Sequence, residues 1–303
     1  MRRFWPLLLF ILIFIVALIA VKPESTNTTD RVGIPQRIIS LAPNITETLF
    51  ALGLGEKIVA VSDYCDFPAK ALTLPKVGGF VNPNLEAIIS QRADLVILPA
   101  NQYRTIKQLQ HLSTPTLSVH SATLFDIKQT ITAIGQRTGQ QQQATELLGA
   151  LNQKINFITK KINNLARPTV MISLGNSTSN ETINTVYIAG QNDFYNDLIK
   201  LAGGTNVYMD TRLNVPSLSV EGIIQLNPDI IIDIYPEADD HNADLQQVLQ
   251  RWQSLKHINA VKNNRIYIVE ESYATIPGPR VSLLLEQLAK LIHPEVRWDQ
   301  MPP

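Results

Sequence analysis

Residues 84–98 read NLEAIISQRADLVIL, and residues 219–233 read SVEGIIQLNPDIIID. The two align without a gap: Glu86 falls on Glu221, Ile88-Ile89 on Ile223-Ile224, Asp94 on Asp229 and Ile97 on Ile232. Each copy opens on a good helix N-cap, Asn84 or Ser219. Each then runs through a short helical pattern and passes an aspartate into an apolar strand. The chain therefore builds one helix-to-strand unit twice, with a glutamate in each first turn. The likeness is wider than this pair, because LFALGLGEKIV (49–59) falls on LIKLAGGTNVY (198–208).

Outward from the first copy, strands and helices alternate. RIISL (37–41), KIVAVS (57–62), DLVILP (94–99) and PTLSVH (115–120) read as strands. Between them, NITETLFALGLG (44–55), 84–91 and RTIKQLQHL (104–112) read as helices. Outward from the second copy, TVMISLG (169–175), DIIIDI (229–234) and RIYIVE (265–270) are strands. NDFYNDLIKLAGG (192–204), LQQVLQRWQSL (245–255) and VSLLLEQLAKLI (281–292) are helices. Residues 140–166 carry apolar side chains at 147, 148, 151, 155, 158, 162 and 165, the spacing of one amphipathic helix. At 1.5 Å per residue it would run about 40 Å, longer than either half needs internally. The expected fold class is α/β: two Rossmann-like lobes on mainly parallel sheets, joined by one long rigid helix. The expected parts are an N-terminal segment (1–22), a polar tether (23–36), a first lobe (37–139), the connecting helix (140–166), a second lobe (167–294) and a tail (295–303).

Composition excludes several functions. The 303 residues carry 26 Lys+Arg and 26 Asp+Glu, so net charge gives no case for nucleic acid. One cysteine, Cys65, allows no internal disulfide. The N-terminus reads MRRFWPLLLFILIFIVALIAV, two arginines before an apolar run from Phe4 to Val21. Such a segment is a secretory signal or a membrane anchor, with its basic end in the cytoplasm. Leu18 stands where cleavage after Ala20 would prefer a small residue, which favours a retained anchor. No cysteine follows the run, so it cannot carry a lipid. The rest of the chain is expected in the periplasm or an equivalent extracytoplasmic space.

The order of RIISLAPNITETLFALGLG, VAVSDYCDFP, KVGGFVNPNLEAI, ADLVIL, LIKLAGG and NPDIIID resembles the Fe/B12 periplasmic-binding family over about Arg37–Pro294. These are the helical-backbone substrate-binding proteins of ABC transporters, and the likeness is greatest to their vitamin B12-binding members. The resemblance implies a non-enzymatic receptor that holds cobalamin between two lobes and delivers it to a permease dimer with its ATPase subunits. Haem or a ferric siderophore is the alternative ligand, and a membrane-anchored sensor or scaffold the alternative role. It implies no cofactor of the protein's own, the corrinoid being cargo, and a monomer. The chain departs from the family at Ala202 and Ala289, where B12-binding relatives carry a disulfide.

Six residues are the candidate site. Glu86 and Glu221 would complement a helix dipole as first-turn acids. The resemblance implies that they also dock onto arginines of the two permease subunits. Asp94 and Asp229 are equivalent too, but at strand starts they are expected to set a turn. Glu47, inside NITETLF, fits a structural role. The ligand-binding candidates are Tyr64 and Phe67 in SDYCDFP, Phe80 in GGFVNPN and Tyr273 in EESYATIPGPR, all in loops after strands, where α/β sheets bind ligands. Aromatic side chains there suit a large, flat, partly apolar molecule. Tyr64 matches a ligand-contacting tyrosine of B12-binding relatives; Phe80 and Val215 stand where they have tryptophans. Five histidines without H-x-H or HExxH spacing argue against a free-metal receptor. His120 and Cys65 remain candidates to touch a chelated metal. No G-x-S-x-G, P-loop or G-x-G-x-x-G pattern points to an enzyme.

Overall fold

The computed structural model describes residues 33–179, 182–236 and 245–299. The expected N-terminal segment, most of the tether, nearly all of the acidic stretch EADDHNADL and the end of the tail lie outside these residues. Among the described residues no helix is long and apolar enough to cross a membrane.

Strands β1 (Ile38–Ser40), β2 (Ile58–Val61), β3 (Leu95–Pro99) and β4 (Thr116–Val119) form a parallel sheet in the order β2-β1-β3-β4. Helices α1 (Pro43–Ala51), α2 (Leu85–Ser90), α3 (Tyr103–His111) and α4 (Leu124–Thr138) alternate with them in the chain. Strand side chains point alternately to opposite faces. Ile38, Leu95 and Ile97 join the cluster shared with α1 and α4. Ile39, Val96 and Leu98 join the cluster shared with Ile88 of α2 and Leu109 of α3. Each fully buried aliphatic side chain contributes about 1.5–3 kcal/mol relative to exposure.

Helix α5 (Gln141–Ile162) follows. It closes sooner than the apolar spacing predicts. The Leu165 amide donates to the Ile162 carbonyl at 3.0 Å, a tight turn that leaves Leu165 packed on the core although outside the helix. Leu147, Leu148, Leu151, Ile155, Ile158 and Ile162 all face that core.

The second sheet comprises β5 (Thr169–Ser179), β6 (Thr182–Ile188), β7 (Thr205–Asn206), β8 (Ser217–Ser219), β9 (Ile230–Ile234) and β10 (Ile266–Val269). Its order is β10-β9-β5-β6-β8, with β7 beside β5. Strands β10, β9, β5 and β7 run parallel, while β6 lies antiparallel to β5 and β8. The β5–β6 pair adds an antiparallel ladder to the mainly parallel second sheet, in a run whose threonines suit an extended strand. Helices α6 (Phe194–Leu201), α7 (Val220–Leu226), α8 (Leu245–Gln253), α9 (Asn259–Lys262) and α10 (Val281–Ile292) complete the chain. Val170, Ile172, Ile230 and Ile232 belong to the same cluster as Ile38 and Ile97, so one apolar core runs under both sheets. Ala202 and Ala289 are fully buried in it, and α6 packs directly on α10.

The repeated unit is repeated in its backbone and bonding. Asn84 Oδ1 accepts from the Ala87 amide at 3.0 Å, and Ser219 Oγ accepts from the Gly222 amide at 3.3 Å. Arg92 and Asn227 both take left-handed backbone, at φ 48° and 47°. The aspartates do something other than set a turn. Asp94 accepts from the amides of Gln36 and Arg37 at 2.8 and 3.0 Å, fixing the start of β1. Asp229 accepts from the Thr169 amide and hydroxyl at 2.9 and 2.7 Å, fixing the start of β5.

Candidate functional site

A cavity of about 430 Å³ opens beyond the C-terminal ends of β1, β3 and β4. Its walls are Ala42–Asn44 at the head of α1, Phe80, Pro99–Asn101 after β3 and Val119–Ala122 after β4. Thr275–Pro277, from the loop after β10, close the other side. A second cavity of about 440 Å³ shares Ser121, Ala122, Thr275 and Pro277 with the first, so the two are compartments of one cleft. The second is walled by Leu174, Ile234 and Pro236 from the second sheet and by Asp193, Phe194 and Tyr195 at the head of α6. A third recess of about 340 Å³ shares only Phe80 and Asn101 with the first and runs along Val81 and Gln102–Thr105. These volumes are in the range of small-molecule sites.

Local structure explains the walls. Gly78 has φ 92°, and a Cβ there would stand 2.7 Å from the Asn84 nitrogen. A glycine is therefore required to fold the Gly78–Pro83 loop back on itself. Gln102 Nε2 donates to the Phe80 carbonyl at 2.6 Å and holds that loop at the cleft. Asn44, Asn101, Ser121 and Thr275 offer amide and hydroxyl groups to a ligand. Sequence reading passed over these four, although the strand-end rule that selected Phe80 also points to Asn101 and Ser121.

The expected site residues are brought together only in part. Phe80 lines the cleft. Tyr64 is 70% exposed. Its ring lies beside Gly79, adjoining Phe80, without lining any of the three cavities. Phe67 and Tyr273 line none of them either; they meet around Arg280. The Arg280 guanidinium lies 3.9 Å from the Phe67 ring centroid and 5.7 Å from that of Tyr273. Tyr273 donates its hydroxyl to Gln287 Oε1 at 3.1 Å. Arg280 also bonds both carboxylate oxygens of buried Glu47. Burial pushes the Glu47 carboxyl up, and the Arg280 hydrogen bonds and charge pull it back. Glu47 thus serves the fold, tying α1 to the start of α10.

His120 lines the cleft, but Cys65 does not. Cys65 is 1% exposed, with its sulfur 3.1 Å from Thr46 Oγ1 and 3.2 Å from Ser62 Oγ. Burial raises its thiol pKa, which keeps it protonated and out of reach of a ligand. Among the described residues no cluster of three or more His, Cys, Asp or Glu could hold a metal ion. Glu86 and Glu221 are both exposed, in the first turns of α2 and α7. Glu221's own amide and the Ser219 hydroxyl hold its carboxyl below the usual range.

The sequence profile described as "Periplasmic binding protein" matches residues 38–273. An uncharacterised ABC transporter substrate-binding lipoprotein of Bacillus subtilis is 29% identical over 269 residues, covering 86% of this chain and 81% of its own. A vitamin B12-binding protein of Vibrio cholerae is 28% identical over 263 residues, covering 84% and 87%. A crystal structure of the vitamin B12-binding protein of that species matches with a TM-score of 0.70 at 25% identity, over 86% of this chain and 97% of that one. A haem-bound Staphylococcus aureus protein matches with a TM-score of 0.70 at 26% identity, over 85% and 98%. With most of its length matched and its cleft at the strand ends, this chain is a member of the periplasmic binding protein family, whose members bind and hand over substrates and are not enzymes.

Proposed function

We propose that the chain is the extracytoplasmic receptor of an ABC importer, and that its cleft takes cobalamin and passes it to a permease dimer. The observation that carries this is the cleft itself: two joined compartments, apolar-walled, fringed by amides and hydroxyls, at the strand ends where α/β sheets bind ligands. The B12-binding name of the Vibrio relative supports the ligand. In this reading Phe80 is the aromatic wall and Tyr64 reaches the ligand from beside Gly79. Phe67 and Tyr273 act through Arg280. Glu86 and Glu221 dock on the permease, one on each subunit. The receptor works as a monomer. The N-terminal segment is its membrane anchor, since the buried Cys65 cannot carry the lipid that the Bacillus relative's name implies for that protein.

Haem is the second reading, favoured by the His120 imidazole in the cleft and by the haem-bound structural relative. Absorption spectra of the full chain in detergent, with cyanocobalamin and separately with haemin, test both. A saturable shift of the corrinoid bands at one equivalent supports the first reading, and a Soret shift alone the second. No change with either overturns the proposal.

A further inference from the structure

Taking the receptor reading as given, we infer that Asp193 sets the class of ligand: the cleft admits a chelate edged with amides or other hydrogen-bond donors and rejects one edged with carboxylates. Among the described residues, the walls of the two joined compartments carry one carboxylate, Asp193, and no lysine or arginine. Arg280, three residues along the chain from the wall residue Pro277, is engaged with Glu47 and Phe67. Arg104 lines only the third recess. A ligand carboxylate entering the second compartment would meet apolar surface, the Ser121 and Thr275 hydroxyls, a like charge and, among the described residues, no cation. An amide N–H entering there would find an acceptor.

The carboxylate is held in place. Asp193 caps α6, its Oδ1 accepting from the Tyr195 amide at 3.0 Å. Of the other titratable groups on these walls, Tyr195 spends its hydroxyl on the Ala274 carbonyl at 2.6 Å, and His120 belongs to the first compartment. Asp197, one turn along α6, receives the Leu124 amide from the head of α4 at 2.9 Å. None of these supplies a positive charge to the second compartment. Burial pushes the Asp193 carboxyl up to about 6; the Tyr195 amide opposes this and Asp197 adds to it. The group is thus ionised at neutral pH, in surroundings where a second anion is felt strongly.

Two tetrapyrrole-type probes separate the cases. Cyanocobalamin is fringed by carboxamides, whereas haemin carries two propionates. Asp193→Asn and Asp193→Ser both keep a good helix cap while removing the charge. Affinities of the full chain and both variants are measured by tryptophan quenching in detergent at pH 7.5. The expected result is a wild type that prefers cyanocobalamin, with haemin gaining about tenfold relative to cyanocobalamin in both variants. If the wild type holds haemin as tightly as the variants do, the selectivity inference is overturned and the receptor reading stands. If no form binds either probe, the receptor reading falls and takes the inference with it.

Discussion

Arg280 grips Glu47 across 233 positions of sequence, its Nε 2.9 Å from Glu47 Oε2, and lays its other face on Phe67. The guanidinium is the residue type that can do both, being planar, permanently charged and forked. The Glu47 side chain is 1% exposed and that of Arg280 15% exposed, so neither charge has water to fall back on.

Arg280→Met should therefore destabilise the protein by about 3–5 kcal/mol, because it strands a buried carboxylate. Glu47→Gln in the same background should recover part of the loss. Urea unfolding of the three proteins reads this out, and equal midpoints for wild type and Arg280→Met would refute it.

A second buried pair predicts an asymmetry. Lys154 of α5 bonds Glu286 of α10 at 2.9 Å, and Glu286 is also held by Lys290 at 2.6 Å. Lys154→Met leaves Glu286 a partner and should cost less than about 1 kcal/mol. Glu286→Leu leaves the Lys154 ammonium buried and alone, and should cost about 3–5 kcal/mol. Denaturant midpoints in the reverse order would contradict the assignment.

Asp193 predicts a dependence of stability on pH. Its carboxyl rises from 3.8 to about 6 on folding, so the fold disfavours the ionised form. The associated stability is complete below pH 3.8 and is lost as pH rises through 6. At pH 7.5 Asp193→Asn should be more stable than wild type by on the order of 1–3 kcal/mol, and the gap should close near pH 4. Melting curves at the two pH values check this; a gap that widens on acidification has the wrong sign.

How much of this was legible beforehand differs from residue to residue. The strands, the helices and the doubled unit follow from hydrophobic periodicity, because Ile38/Ile39 and Ile231/Ile232 must face opposite cores. The β5–β6 ladder was hidden, because its polar threonines carry no apolar period. The place of Phe80 was readable from the loop-after-strand rule. That Phe67 and Tyr273 would meet around Arg280 was not, since no local pattern states that residues 67, 273 and 280 converge. Asp193 reads locally as a helix cap, which it is; only the third dimension puts Leu174 and Pro236 opposite it.

Glu86 and Glu221 are exposed carboxylates whose helices are already capped by Asn84 and Ser219. Changing both to alanine should lower stability by no more than a few tenths of a kcal/mol per site, and should leave cyanocobalamin affinity unchanged. Capture by the reconstituted permease should be lost. Normal transport by the double variant would reduce the two glutamates to dipole partners and the duplication to ancestry.

Helix α5 runs unbroken from Gln141 to Ile162, without proline. Continuous helix bends stiffly, so ligand binding should change the radius of gyration little. X-ray scattering with and without cyanocobalamin measures it, and a contraction of several ångströms would reject a stiff connection.

The core under both sheets has a thermodynamic consequence. Ile38 and Ile97 of the first sheet share one cluster with Val170, Ile172, Ile230 and Ile232 of the second and with Leu151 and Ile158 of α5. Neither half can melt without baring the flank of the other. The described chain should therefore denature in one calorimetric transition, its van't Hoff and measured enthalpies agreeing. Damage on one side of the cleft then propagates as lost cooperativity to the other, and the receptor survives or fails as a single unit.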